Sequence, residues 1–263
     1  MAARLLRPVP RAVFGTHGVD PKFFRRGFSY GGIDTATGYN NAVAVGKAIT
    51  DHFRETGVTP YLITKFNTID FKNGIDDAVK KHRFELGHEP DEVLLHSTLD
   101  SDEKNVAAIR KLRQEFPNSR IGASNMTLRQ LLKLHQVERL DTFHTEYHVN
   151  FRTKLIERFC HDNKIVLYGF RPFHGLKNPV VQELAAKNNM TPDYYILYWL
   201  YGKGIIPVTS SQTEANIDRV AKWVAATNYS ALDAFNSNPD DTNASTCMKK
   251  WTGKGWESEP FIV

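Results

Sequence analysis

Three short β-forming runs in the first hundred residues each end on a different ionisable side chain, and those ends are evenly spaced. Gly31-Gly32-Ile33 leads to Asp34, Tyr61-Leu62-Ile63-Thr64 to Lys65, and Val93-Leu94-Leu95 to His96, at intervals of 31 residues. Short apolar runs of this kind read as buried parallel strands, and the interval has the length of one strand plus one helix. A repeated strand–helix unit therefore sets the three ends on one rim. Tyr39 joins them, one Gly-containing turn after Asp34 and just before a helical pattern.

The pattern continues along the chain. Val13 to Thr16 reads as a first strand, and the stretch from Asp20 to Gly27 is too short for more than a stunted first helix. A helix is predicted from about Asn41 to Thr56, with Val45, Ala48, Ile49 and Phe53 on one face, and another from Gly74 to Gly87. Ser101 or Asp102 caps a helix stopped by Pro117, and Thr127 opens the next. Further strands are expected at Arg120–Ala123, Asp141–Glu146, Ile165–Phe170 and Gly204–Val208. Helices are expected at about Thr153–Asn163, Pro179–Asn188, Pro192–Tyr201 and Thr213–Ala226. Eight such units predict an α/β fold of the (β/α)8 TIM-barrel type rather than an open doubly wound sheet, and no GxGxxG follows the first strand. The expected organisation is a single domain, 1–263, with the barrel at about 10–227 and an ordered C-terminal loop, 228–263, over its rim.

Composition narrows the class. At 263 residues and 41% hydrophobic content the chain can bury one large core. No run has the length of a membrane span and the first residues lack a signal-peptide core, so a soluble, cytoplasmic protein is expected, with no membrane partner. Cys160 and Cys247 are far apart and form no metal-ligand spacing. The net charge of +5 suits an anionic partner such as a phosphate-bearing cofactor. The clusters Lys22/Arg25/Arg26 and Lys80-Lys81-His82-Arg83 lack interleaved aromatics, read as solvated helix faces, and point to no nucleic acid. A homo-oligomer is compatible with the sequence.

Each rim residue alone has an ordinary structural reading: a turn acid, a helix-entry aromatic, a strand-end lysine, a satisfied histidine. Together they form an acid unit. A phenol of pKa near 10 is a poor proton donor at neutral pH, a neighbouring ammonium favours its ionised form, and a carboxylate holds that ammonium charged. His96 can hydrogen-bond a carbonyl oxygen from the other side. Such a set protonates an oxygen while hydride arrives at carbon. His144, His148 and His174 show no closed metal-ligand set with Glu146.

The chain resembles the aldo-keto reductases. The matching residues run in order from Phe14-Gly15-Thr16 through Asp34-Thr35-Ala36 with Tyr39, Thr64-Lys65, Leu95-His96, Ile121 to Asn125, Glu146 and Arg171-Pro172 to Ile206-Pro207. The resemblance implies an NAD(P)H-dependent reductase of aldehydes or ketones with Tyr39 as general acid, Lys65 and Asp34 tuning it, and His96 orienting a small carbonyl substrate. It also implies that Ser124 and Asn125 bind the nicotinamide carboxamide, that His144 stands in the place of a glutamine with the same task, and that Phe170 stacks on the nicotinamide ring beside Arg171 and Pro172. Without the resemblance, Ser124 and Asn125 read as helix caps.

The departures bear on the cofactor. Val208 stands where many NADP-preferring members place a lysine, and Glu214 lies close to where an arginine grips the 2′-phosphate. With Thr209, Ser210, Ser211 and Gln212 left to supply polar contacts, the expectation leans to NADH over NADPH. The alternative is a catalytically weakened barrel kept as a binding, scaffold or regulatory protein.

Overall fold

A computed structural model describes residues 6–226, 248–251 and 256–259. Eight parallel strands pair in sequence order, and the first closes on the last. They are β1 (Val13–Gly15), β2 (Gly32–Asp34), β3 (Tyr61–Phe66), β4 (Glu92–Leu95), β5 (Arg120–Ser124), β6 (Thr142–Glu146), β7 (Val166–Phe170) and β8 (Ile205–Thr209). The expected (β/α)8 barrel is the fold observed. Register sets the rim: Gly15 pairs with Asp34, Asp34 with Ile63, and Lys65 with Leu94, so the strand ends carrying Asp34, Lys65 and His96 lie side by side.

The helices are α1 (Phe24–Gly27), α2 (Ala42–Thr56), α3 (Thr68–Asn73), α4 (Ile75–Leu86), α5 (Asp102–Glu115), α6 (Leu128–Val137), α7 (Lys154–Asp162), α8 (Pro179–Lys187), α9 (Pro192–Gly202) and α10 (Glu214–Ala225). The stunted first helix is as expected: α1 has one turn, flanked by short 3-10 segments. Ser101 and Thr127 accept from Lys104 and Gln130 backbone N–H groups, so these residues cap α5 and α6 as their types dictate. Helix α3 was not expected, because six residues after β3 are too few to show a period. The Cβ of any residue at position 46 would stand 2.2 Å from the Leu86 carbonyl oxygen, so glycine there lets α2 and α4 meet.

One side-chain assignment from periodicity is corrected. Phe53, placed on the buried face of α2, is half exposed, whereas Val45, Ala48 and Ile49 are buried. His82, which shares helical spacing with Ile75, Ala78 and Val79, is buried as that spacing predicts and leaves the solvated face of the Lys80–Arg83 cluster, with Nε2 2.6 Å from Thr64 Oγ1. Two apolar clusters, one around β4 to β8 and one around β1, β2 and α10, lie between sheet and helices, and a smaller cluster of Val13, Tyr61, Ile63, Leu94, Tyr168 and Val208 fills the barrel. Glu92, fully buried inside, accepts from Tyr168 Oη at 3.0 Å, Tyr61 Oη at 3.3 Å and His144 Nε2 at 2.8 Å. Cys160 is buried, which pushes its thiol up to about 12.

No described helix is long and apolar enough to cross a membrane. Of the C-terminal stretch, β9 (Met248–Trp251) and β10 (Trp256–Glu259) pair antiparallel. The rest of the expected rim loop, 228–263, and Cys247 lie outside the described residues.

Candidate active site

A cleft of about 560 Å³ opens at the carboxyl ends of the strands, lined by Asp34, Tyr39, Lys65 and His96 among others. In TIM barrels this end of the strands is where loops from several units converge. Lys65 projects from β3 and its Nζ lies 2.5 Å from Asp34 Oδ1, 3.1 Å from the Thr35 carbonyl oxygen and 3.5 Å from Tyr39 Oη. Both members of the ion pair are about 5% exposed. Tyr39 ends a 3-10 turn (Thr37–Tyr39) closed by Asn40 in the left-handed region. That loop is tied down behind: Asn41 Nδ2 donates to Thr16 Oγ1 at 2.9 Å, and Thr35 Oγ1 donates to Asn41 Oδ1 at 2.7 Å. The rings of His96 and His17 flank Tyr39, with centroids at 5.6 and 4.7 Å.

The electrostatics partly reverse the expectation for Tyr39. Burial raises its pKa above the ordinary tyrosine value by more than the Lys65 charge lowers it, and Asp34 adds to the rise. The phenol therefore holds its proton at neutral pH. Burial pulls Lys65 toward the neutral amine, but Asp34 and then Tyr39 outweigh it, and its pKa is raised. His96 is pushed well below the ordinary histidine value by burial first, then by the Lys65 charge and the His144 and His17 rings, so it is neutral at pH 7.

The cofactor candidates divide. Ser124, Asn125, His144, Phe170, Arg171, Pro172, Thr209 and Ser210 line the same cleft; Ser211 does not, and its Oγ accepts from the Thr213 N–H at 3.1 Å. Asn125, at φ +59°, donates from Nδ2 to the His96 carbonyl oxygen and to Ser124 Oγ. Its own carbonyl and the Ser124 hydroxyl proton remain available, an acceptor and a donor side by side. With the Phe170 ring on the same cleft, these groups fit a flat ring bearing a carboxamide. His144 is only 1% exposed, stacks on Tyr168 at 4.2 Å and commits Nε2 to Glu92, which leaves Nδ1 as its one remaining polar atom. Val208 is buried in β8, and Glu214 pairs with Arg26 at 2.9 Å, where Asp218 takes up the rest of that guanidinium.

One cluster was not foreseen. Glu146, His148 and His174 place ligand-type atoms within 4.8 Å of one another, a closed set that their spacing in the chain does not show. Arg171 Nη1 also lies 3.7 Å from Glu146 Oε2. His148 Nε2 lies 3.2 Å from Glu146 Oε1, and its Nδ1 is buried without a hydrogen-bond partner. Sequence reasoning also passed over Asn67 and His17, which line the cleft from loops where nothing in the neighbouring residues marks them.

No family model matches the chain. It is 28% identical over 207 residues to the methylglyoxal reductase DkgB of Escherichia coli O157:H7, covering 72% of this chain and 75% of that protein. It is 28% identical over 204 residues to the 9,11-endoperoxide prostaglandin H2 reductase of Trypanosoma cruzi, covering 72% and 70%. In structure it resembles the aldose reductase of Schistosoma japonicum, with a TM-score of 0.74 at 19% identity over 88% of each chain. It also resembles a Bombyx mori aldo-keto reductase solved in complex with NADP, with a TM-score of 0.72 at 18% identity over 89% of this chain and 92% of that one. The chain is thus similar to reductases along nearly three quarters of its sequence, and it shares with solved aldo-keto reductases a closed barrel, here with Asp34, Tyr39, Lys65 and His96 lining one cleft.

Proposed function

We propose that the protein is an NAD(P)H-dependent oxidoreductase that reduces a small aldehyde or ketone to the alcohol, with Tyr39 as the proton donor. The observation that carries this reading is the buried Asp34–Lys65 pair set 3.5 Å from a phenol that keeps its proton. A reduced nicotinamide, when bound, supplies the hydride to the carbonyl carbon. Ser124, Asn125 and Phe170 would hold its carboxamide and ring, with Arg171 and Pro172 beside them.

In this reading the Tyr39 hydroxyl donates to the carbonyl oxygen, and its proton passes to that oxygen as negative charge develops there. The phenolate left behind is stabilised by the Lys65 ammonium, which Asp34 keeps charged. Burial thus does two things: it holds the acid protonated in the free enzyme, and it strengthens the Lys65 attraction once charge appears.

For the dinucleotide, NADH is the proposed preference. Val208 offers no charge, Glu214 adds an anion, and Arg26 is spent on Glu214 and Asp218. Thr209 and Ser210 supply neutral polar contacts on the cleft, and Ser211 stands outside it. The scaffold alternative draws no support from a cleft in which the acid unit is complete.

Tyr39→Phe tests the assignment. Reduction of a panel of small aldehydes should fall by about 10² to 10⁴, while fluorescence titration with NADH and NADPH stays within about twofold of wild type. Equal loss of binding and turnover, or turnover unaffected, would remove Tyr39 from the proposed role.

A further inference from the structure

His96 is not free to choose which nitrogen carries its proton. Its Nδ1 lies 2.6 Å from Asn67 Oδ1, and the orientation of that amide is settled by a chain of partners behind it. Thr37 Oγ1 lies 2.6 Å from Asp70 Oδ2 and 3.4 Å from the Lys65 carbonyl oxygen. A carboxylate and a carbonyl can only accept, so the Thr37 hydroxyl donates to one of them. Its oxygen must then accept from its third neighbour, 3.1 Å away, which fixes that atom as the Asn67 amide nitrogen. Asp70 is itself anchored by accepting the Asn67 backbone N–H at 2.7 Å. The opposite end of the amide, the carbonyl oxygen, therefore faces His96, and His96 must donate to it from Nδ1.

Two further observations support the relay. A Cβ at position 38 would stand 2.2 Å from Asn67 Nδ2, so the glycine there preserves room for the amide in this orientation. The ring is also held neutral by its surroundings, as described above, so it has one proton and not two. Once Nδ1 holds that proton, Nε2 is a bare lone pair on the cleft wall beside Tyr39. In this tautomer Nε2 would not donate to a carbonyl oxygen, because two acceptors facing each other do not bond.

We propose that Asn67, oriented by Thr37 and Asp70, is a positioning residue that fixes the His96 proton on Nδ1, so that Nε2 accepts a hydrogen bond and favours carbonyl substrates bearing a hydroxyl beside the carbonyl. The inference rests on the reductase reading for its substrate preference and on this relay alone for the tautomer. Tyr39 donates to the reacting oxygen, the neighbouring hydroxyl donates to His96 Nε2, and a substrate without that hydroxyl leaves the lone pair without a partner. Such a site rejects the analogue that lacks the donor.

Two readouts test it separately. Long-range proton–nitrogen correlation spectra of labelled protein, with His96 assigned through a His96→Gln variant, should show the proton on Nδ1 in wild type and in Thr37→Ser. In Asn67→Leu and Thr37→Val the Nε2-protonated form should appear. In kinetics, kcat/KM for hydroxyacetone should exceed that for methoxyacetone, its capped analogue, by about tenfold in wild type, and the ratio should shrink to within about twofold in both disrupting variants. Thr37 lies outside the cleft lining, so Thr37→Val reports on the relay even if Asn67→Leu does not fold. Wild-type His96 protonated on Nε2, or a substrate ratio that neither variant changes, would overturn the proposal. Absence of turnover with any aldehyde or ketone and either dinucleotide would remove the reductase reading and the substrate preference together, and the spectra would still decide the role of Asn67.

Discussion

Replacing Lys65 by methionine isolates the energetic role of the ion pair. The side chain keeps its length and loses its charge, and Asp34 loses the partner of its Oδ1. The other oxygen, Oδ2, is already buried without a hydrogen bond, and the pair is about 5% exposed, so water cannot take over. Breaking a buried pair by removing one member costs about 3 to 5 kcal/mol, a large share of the about 5 to 15 kcal/mol that holds a typical domain together. Asp34→Asn should cost less, because Lys65 keeps the Thr35 carbonyl at 3.1 Å and the asparagine oxygen can still accept. In Asp34→Asn/Lys65→Met no charge is left stranded, so the double variant should be more stable than Lys65→Met alone by about 2 kcal/mol or more. Urea denaturation of all four proteins without cofactor measures the cycle. Additive costs, or a Lys65→Met penalty below about 1 kcal/mol, would refute the view that the carboxylate depends on this ammonium.

Acid should weaken the fold through His82. Burial pushes its pKa down to about 4 from an ordinary 6.5, so between those values the unfolded chain binds a proton that the folded chain does not. Stability therefore falls as the pH drops through that window, by about 3 kcal/mol in all; His82→Gln should flatten this part of the profile in thermal melts, and an unchanged slope would clear His82. Gly46→Ala would press a methyl group into the Leu86 carbonyl, 2.2 Å from the new carbon, and should cost about 1 to 3 kcal/mol, whereas an exposed-helix alanine would have stabilised.

The fold was legible because its signal is repeated. Eight apolar runs at similar intervals outweigh an error of a residue or two at any one end, and Asp34, Lys65 and His96 occupy equivalent places in successive repeats. What failed was single positions whose surroundings come from elsewhere in the chain. Phe53 fits the buried stripe of α2 yet lies near its exposed end, and His82 belongs both to a basic run and to the stripe of Ile75, Ala78 and Val79, a choice settled only by Thr64, 18 residues earlier. Glu92 begins β4, one residue before the apolar run that announces the strand, and its three partners come from β3, β6 and β7. Asn67 is another such case. It stands two residues after Lys65, and only the approach of Thr37 and His96 from neighbouring loops gives its amide a direction. The net effect of the Lys65–Tyr39 pairing was equally hidden, since residue types show that a cation lowers a phenol pKa but not how much burial raises it.

An amine on the wall of a cleft proposed to receive carbonyl compounds would be a hazard, because an uncharged primary amine condenses with an aldehyde to an imine and blocks the site. Lys65 is the one amine lining the cleft among the described residues. Its bond to Asp34 occupies the lone pair with a proton and leaves nothing to attack a carbonyl. The same contact that keeps charge beside Tyr39 in the proposed mechanism would thereby make the site chemically inert toward a carbonyl substrate.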